Sequence, residues 1–547
     1  MRKLLLNLVV GASANLVLSA SASAAAQWNS ALYPGDGSRP VVSLGGRDWQ
    51  LEDYSYAGYA LGERAPGEVP CRVKTVEAEA GAAVGALLQA AIEEITAAGG
   101  GVVRIPEGEY QLERTVTVRG SRVRIVGAGQ GRTVLRVPSS WDPVQHFDEG
   151  VITFGKAVNG WNQGWVHQGR LLGRIETVVE RGAMTVEAPA GVTLEPGTWI
   201  VVQQYFWPTL VDRNSANPGR WPDAGTDRFF SFSYLRRVLA QEERRLVLDA
   251  PIPWTLDPAN NPVLLRLTDG RMLEDVGIEG VTIEFEANRN GDGGRPGGAA
   301  VHFEGVRNGW VSDVAVKRFP RIGLQLRGSA RITLEDSLVE NAQDYGDGGY
   351  GYGVHVHSSQ NVLVRGVKVE DARRPFTLQR ALTSMVVFTR CESVNATQGD
   401  DTHHSLIHGL LWDHHRQRAG TNLTLWNRAN FSDGAHETLG SGAVWNHFGD
   451  GVRGRLGGSG GQIHVKPSPD GFALVIGTSG HPVFDGSQGN PFRAGARVAP
   501  GLGPVAGTGV WYEGIGQEGL QPESLFEAQL QARTGSEVRK LAPVCEP

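Results

Sequence analysis

After its first two dozen positions, this chain of 547 residues has no run of 18 uninterrupted apolar residues, so no segment of the mature protein is expected to span a bilayer. Cysteine is scarce: Cys71, Cys391 and Cys545 are too few for a disulfide scaffold, and their spacing matches no metal-ligand set. Either Cys71 and Cys545 bridge the two ends, or all three are buried thiols. Basic excess is absent as well. With 52 Lys and Arg against 58 Asp and Glu the net charge is −6, which excludes a nucleic-acid partner, because phosphate binding needs clustered cations. No His-Glu-x-x-His helix is present either.

What the chain does have begins at Met1-Arg2-Lys3, followed by an apolar stretch through Leu18 and the small residues Ala22-Ser23-Ala24-Ala25-Ala26. That order is a signal peptide over 1–26, cut after Ala24 or Ala26, and it predicts a secreted or periplasmic protein. The 74 glycines indicate many turns. A length of this size ordinarily implies several domains, but a solenoid absorbs it as one unit.

From Leu87 to Leu135 an amphipathic helix (Leu87, Ala91, Ile92, Ile95) stops at Gly99-Gly100-Gly101. Short β-branched runs follow, at 102–105, 115–118 and 123–126. The stretch resembles the N-terminal cap of right-handed parallel β-helix proteins of the pectate lyase-like superfamily, in which a helix plugs the open end of the coil. That resemblance implies an all-β solenoid with an N-terminal helical cap and, for a secreted protein, a long polysaccharide as partner.

Downstream, apolar alternating runs recur. Phe303 to Leu326 is 23 residues, Leu326 to Val356 is 30 with NAQDYGDGGYGYG inserted, and Val356 to Leu378 is 22. Three strand signals per period fit a three-faced coil. Between Gly164 and Arg271 the rhythm is lost, and several longer runs read as an inserted antiparallel β subdomain whose aromatics, Trp207 among them, suit sugar rings. The expected organisation is an N-terminal extension over 27–79, cap and first rungs over 80–163, the insert over 164–271, rungs over 272–470, and last rungs with a helical cap of the far end over 471–547. A monomer is expected.

Nine of the 14 histidines fall between Tyr352 and His447, where even scatter would place two or three. Rungs stack about 4.8 Å apart and alternate residues share a face. His355 and His357 therefore point the same way, with Thr377 and Gln379 one rung on and the 403–408 segment another rung on. GDD at 399–401 and IHG at 407–409 resemble segments of polygalacturonases, although the Arg-Ile-Lys segment of that family is missing. Arg374, the DDTHH run and Leu410-Leu411 resemble a rung pattern of other secreted carbohydrate-active β-helix proteins.

The leading expectation is an endo-acting lyase that cleaves uronate chains by β-elimination. Arg374 or Arg380 would neutralise the carboxylate. His404, with His408 and His355 behind it, would take the C5 proton. Another histidine or Tyr352 would serve the leaving oxygen. Gln379, His357, Trp207 and Trp412 complete the expected substrate-binding set. A hydrolase would instead use Asp400, Asp401 or Asp413, with Asp400 and Asp401 on opposite sides of their strand. A uronate C5-epimerase runs the same proton abstraction, and a non-catalytic glycan-binding protein shares the fold. No cofactor is assigned from the residues alone. A divalent cation such as calcium on Asp344, Asp347, Asp400 and Asp401, or zinc on His403, His404 and His408 with Asp400 or Asp401, is the metal alternative.

Overall fold

The computed structural model describes residues 26–545 except 45, 140–149, 156–168, 205–231, 269, 287–297, 347–349, 381, 404–405, 427–438, 458–459, 469, 481–482 and 486–508. His404, Trp207, Asp347 and the signal segment lie outside the described residues.

The coil begins at the helix Gly85–Ala97, which buries Leu88, Ala91, Ile92 and Ile95 against the first rungs. That stripe recurs at i, i+3, i+4 and i+7. Leu87, expected on the stripe, is instead 45% exposed. The helix ends where Gly100 takes a φ of 110°, and a side chain there would meet the Arg122 carbonyl at 2.6 Å. A glycine is needed at that point on both counts.

Beyond the cap the chain winds as the expected parallel β-helix. One face is a seven-stranded parallel sheet of Val116–Val118, Gly150–Gly155, Ala299–Glu304, Ile322–Arg327, Tyr352–His357, Arg374–Gln379 and Asp401–His403. Phe303, Leu326, Val356 and Leu378 sit opposite one another in register, as the sequence periods of 23, 30 and 22 require. These apolar positions fill the interior while their neighbours point outward. The remaining sides of the coil form one continuous sheet of 18 described strands. The insert is a six-stranded antiparallel sheet between Gly169 and Leu267, with its own core of Ile200, Val202, Phe232, Tyr234, Leu246, Leu248 and Leu264. Leu406 of the coil enters that core and docks the insert.

The described end segments of the chain come together along the side of the coil. Trp28–Asn29 pairs with Leu520–Gln521. From there both segments run back along the outside, through Tyr54 N–H donating to Gln529 (2.9 Å) and Arg124 donating to the carbonyls of Gly67 and Ala542 (both 2.9 Å). A disulfide between Cys71 and Cys545 closes the strap, and Cys391 is a buried free thiol. The last helix, Leu525–Thr534, expected as an end cap, packs Leu525, Phe526 and Leu530 on the flank over Met385, Val387, Leu411 and Trp445. The reason lies in the rungs themselves. Val386-Val387 and Leu410-Leu411 are apolar on both sides of their strands, so the outer side needs cover.

Replacing Cys71 with serine is expected to cost about 2–5 kcal/mol. Limited proteolysis should then release the last segment before the rungs are cut. Unchanged protection of that segment would show that packing alone holds it.

Candidate active face

The outward side chains of the seven-stranded face form columns. The central one runs Thr117, Thr153, His302, Gln325, His355, Thr377, Asp401. Beside it run Glu304, Arg327, His357, Gln379 and His403. Tyr352 and Arg374 are paired at the strand starts.

Tyr352 lies on the His355 side of its strand, while Gly353 faces the interior. A side chain on Gly353 would meet Val369 of the interior at 2.4 Å and the Pro375 carbonyl at 2.6 Å, so only glycine lets the rungs close up there. Tyr352 packs edge-on against His355, with ring centroids 5.3 Å apart, and His355 against His357 at 5.7 Å.

The polar residues of the face are buried and joined to one another. His355 is fully buried, and its Nε2 lies 2.9 Å from Gln379 Oε1 and its Nδ1 3.4 Å from Gln325 Nε2. Gln325 Oε1 meets His302 Nδ1 at 2.9 Å, and His302 Nε2 meets Glu304 at 3.2 Å. Burial depresses the His355 pKa to about 3 against the pull of the Gln379 hydrogen bond, so the ring is neutral at ordinary pH. Arg374 forms an ion pair with Asp401. His403, with a side chain 20% exposed, is the most open of the three face histidines in this part of the coil. His357, Gln379 and Arg380 are 4–7% exposed.

Of the expected site residues, His355, His357, Tyr352, Arg374, Gln379 and Asp401 come together here, and Arg380 follows directly on its strand. Four others do not join them. His408 lies on the continuous sheet, fully buried under the insert. Its Nδ1–H donates to the Leu406 carbonyl (2.8 Å) and its Nε2 accepts from Tyr234 (2.8 Å). Trp412 is fully buried in the coil interior, stacked on Phe388 at 4.2 Å, where no sugar reaches it. Asp400 points inward, away from Asp401, as alternation along the strand requires. It accepts from Ser393 (2.8 Å), His415 (3.0 Å), Gln417 (3.0 Å) and the Phe376 amide (3.2 Å). Asp413 is equally buried. It receives Thr389 (2.7 Å) and the Leu525 amide (2.9 Å), and burial raises its pKa to about 6.

Of the metal alternatives, Asp347 and His404 lie outside the described residues, and the other members do not come together. Asp400 and Asp401 face opposite sides and both have protein partners, while His403 and His408 lie on different sheets. Among the described residues no group of three His, Cys, Asp or Glu is placed to hold an ion. His302, Glu304, Gln325 and Arg327 were missed by the sequence reading. Stepping back 30 residues from His355 reaches Gln325, and 23 more reaches His302.

His408, whose pKa burial lowers to about 4, gives a testable pH dependence. Unfolded, it binds a proton below about 6.5, whereas folded it does so only below about 4. Its contribution to stability is therefore present above pH 6.5 and is lost as the pH falls toward 4. Compared with His408→Gln, the wild type should lose roughly 3 kcal/mol more over that window, measured by chemical unfolding. Parallel pH curves would contradict the assignment.

No family model matches the chain. A segment of 64 residues, 10% of this chain, is 44% identical to mannuronan C5-epimerase AlgE2 of Azotobacter vinelandii and covers 6% of that relative's length. Among solved structures, the tailspike protein gp49 of Pseudomonas phage LKA1 aligns with a TM-score of 0.43 at 14% identity over 73% of this chain and 64% of that one. The A-module of Azotobacter vinelandii mannuronan C-5 epimerase AlgE6 aligns with a TM-score of 0.31 at 12% identity over 81% of this chain and 96% of that one. At these identities and TM-scores neither structural likeness bears on chemistry.

Proposed function

We propose that this protein is a secreted enzyme that acts on a uronate-containing polysaccharide by removing the C5 proton of a sugar ring. The observation that carries the reading is the grouping of Tyr352, His355 and His357 on one strand beside Arg374, Gln379 and Arg380 on the next. Abstraction at C5 needs a base, an acid and cationic or donor groups that hold the carboxylate as charge spreads into it. His357 takes the proton and Tyr352 supplies one. Arg380, with Arg374, faces the carboxylate. His355, with a nitrogen engaged on either side, positions its neighbours. If the C4–O bond then breaks, the outcome is elimination. If a proton returns on the opposite face, the outcome is epimerisation, which the local match to a mannuronan C5-epimerase favours.

Hydrolysis is the weaker reading. The described strands of this face carry two outward carboxylates, Glu304 and Asp401, and four strand steps separate them. At about 4.8 Å per step that is roughly 19 Å, far beyond the 6.5–9.5 Å or so of an inverting pair. Export is supported by the N-terminal sequence and by the Cys71–Cys545 bridge, a type of bond that persists in oxidising compartments.

The test is a panel of acidic and neutral polysaccharides offered to the purified mature protein. Change confined to uronate polymers is expected. Turnover of neutral polymers alone would overturn the assignment, and binding without any product would favour a non-catalytic glycan-binding role.

A further inference from the structure

We infer that the strand Arg374–Gln379 is the carboxylate-recognition strand of this face, and that a hydrogen-bonded ladder across four rungs holds Gln379 with its amide N–H groups toward the substrate. The inference rests on the uronate reading above and assigns Gln379 the part of a specificity determinant.

Arg374, Thr377 and Gln379 are the outward side chains of that strand. Among the described residues, the buried Thr377 hydroxyl and the Arg374 Nε have no hydrogen-bond partner, although the Arg374 guanidinium is tied to Asp401 through another nitrogen. Thr377 is fully buried and Arg374 is 6% exposed. Unmet donors in a buried place are costly, so native proteins keep them where a ligand or water will meet them. A carboxylate accepts from two or three donors at once, which suits this row.

Gln379 completes the row only if its amide is turned the right way, and a primary amide on its own has no preference between its oxygen and its nitrogen. The ladder removes that freedom. Glu304, His302, Gln325, His355 and Gln379 are joined end to end at 3.2, 2.9, 3.4 and 2.9 Å. Each glutamine has one accepting and one donating end, and a neutral imidazole has one nitrogen of each kind. Once His302 has set the sense of its bond to Gln325, the bonds from Gln325 to His355 and from His355 to Gln379 are fixed as well. Glu304 accepts only, so His302 uses both of its ring N–H groups, Nε2–H toward Glu304 and Nδ1–H toward Gln325 Oε1; Gln325 Nε2 then donates to His355 Nδ1, and His355 Nε2–H donates to Gln379 Oε1. With its oxygen engaged, Gln379 has its two N–H donors to offer. In the opposite sense it would offer a carbonyl oxygen, which repels a carboxylate. His355 is thus a positioning residue: with Nδ1 engaged by Gln325 and Nε2 by Gln379, it passes on the ladder's direction instead of taking the proton.

Two measurements on the full mature chain test this. In histidine-labelled protein, ¹⁵N NMR reads the His355 tautomer without any substrate. The Nε2–H form is expected, and Gln325→Leu should mix the tautomers. An Nδ1–H form in the wild type would overturn the ladder whatever the enzyme's activity. In the second, calorimetry compares mannuronate tetramers with cellotetraose as a neutral control. Gln379→Glu, which keeps the shape and replaces the donor with a charge, should weaken mannuronate binding at least tenfold and leave cellotetraose unaffected. Gln379→Met, which removes the donor and adds no charge, should weaken it in the same direction. Equal mannuronate binding by wild type and both variants, or no mannuronate binding by the wild type, would overturn the carboxylate assignment. A failure of turnover on every polymer would sink the proposed reaction but leave the tautomer result standing.

Discussion

Alanine in place of His357 is expected to lower turnover of a uronate polymer by roughly 10²–10⁴-fold, the usual effect of removing a positioned base. Tyr352→Phe, which keeps the ring that packs on His355 and removes only the hydroxyl, should fall in the same range. Both residues are nearly buried, so a fold control is needed. Melting behaviour and the circular dichroism of a β-rich chain should be retained in Tyr352→Phe in particular, because its ring contact at 5.3 Å is preserved. A Tyr352→Phe variant with undiminished turnover would remove the tyrosine from the chemistry. His408→Gln is the matching control. His408 lies under the insert and not on this face, so its loss should move stability and leave turnover nearly unchanged.

The second large effect concerns Asp400, which sequence reasoning placed among the catalytic carboxylates. Asp400→Ala is expected to cost about 3–5 kcal/mol, the penalty of breaking a buried, hydrogen-bonded charge cluster by removing one member. Three side chains and one amide converge on this carboxylate inside the coil, and Gln417 extends the cluster to His447 at 3.1 Å. Chemical unfolding measures the loss. Asp401→Asn, on the outward side of the same strand, should also lower stability, because it leaves Arg374 without its buried ion-pair partner. An Asp400→Ala protein as stable as the wild type but inactive would mean that the inward carboxylate has a part in the reaction.

The architecture was legible because its causes repeat. A period in the low twenties, with apolar residues alternating about it, fixes the rungs, and Phe303, Leu326, Val356 and Leu378 stack where counting puts them. The pairing of His355 with Thr377 and of His357 with Gln379 follows from the same arithmetic. Composition could not say which polar residues point inward. Asp400, His415 and His447 look like surface chemistry in a list of residues, yet they form a polar core, because Ser393 and Gln417 supply the partners that make their burial tolerable. Trp412 was misplaced for a related reason. On a strand whose two sides are both apolar, alternation no longer distinguishes the interior from the covered flank. The strap that covers that flank comes from residues hundreds of positions away, and no local signal announces it.

The most direct single measurement is proton NMR of a uronate polymer incubated with the enzyme in deuterated water, together with the His357→Ala variant. Abstraction at C5 predicts either deuterium at C5 of an epimerised residue or the vinylic signal of an unsaturated uronate, both lost in the variant. New reducing ends with neither deuterium at C5 nor unsaturation would mean hydrolysis, and would contradict proton abstraction as the work of this face.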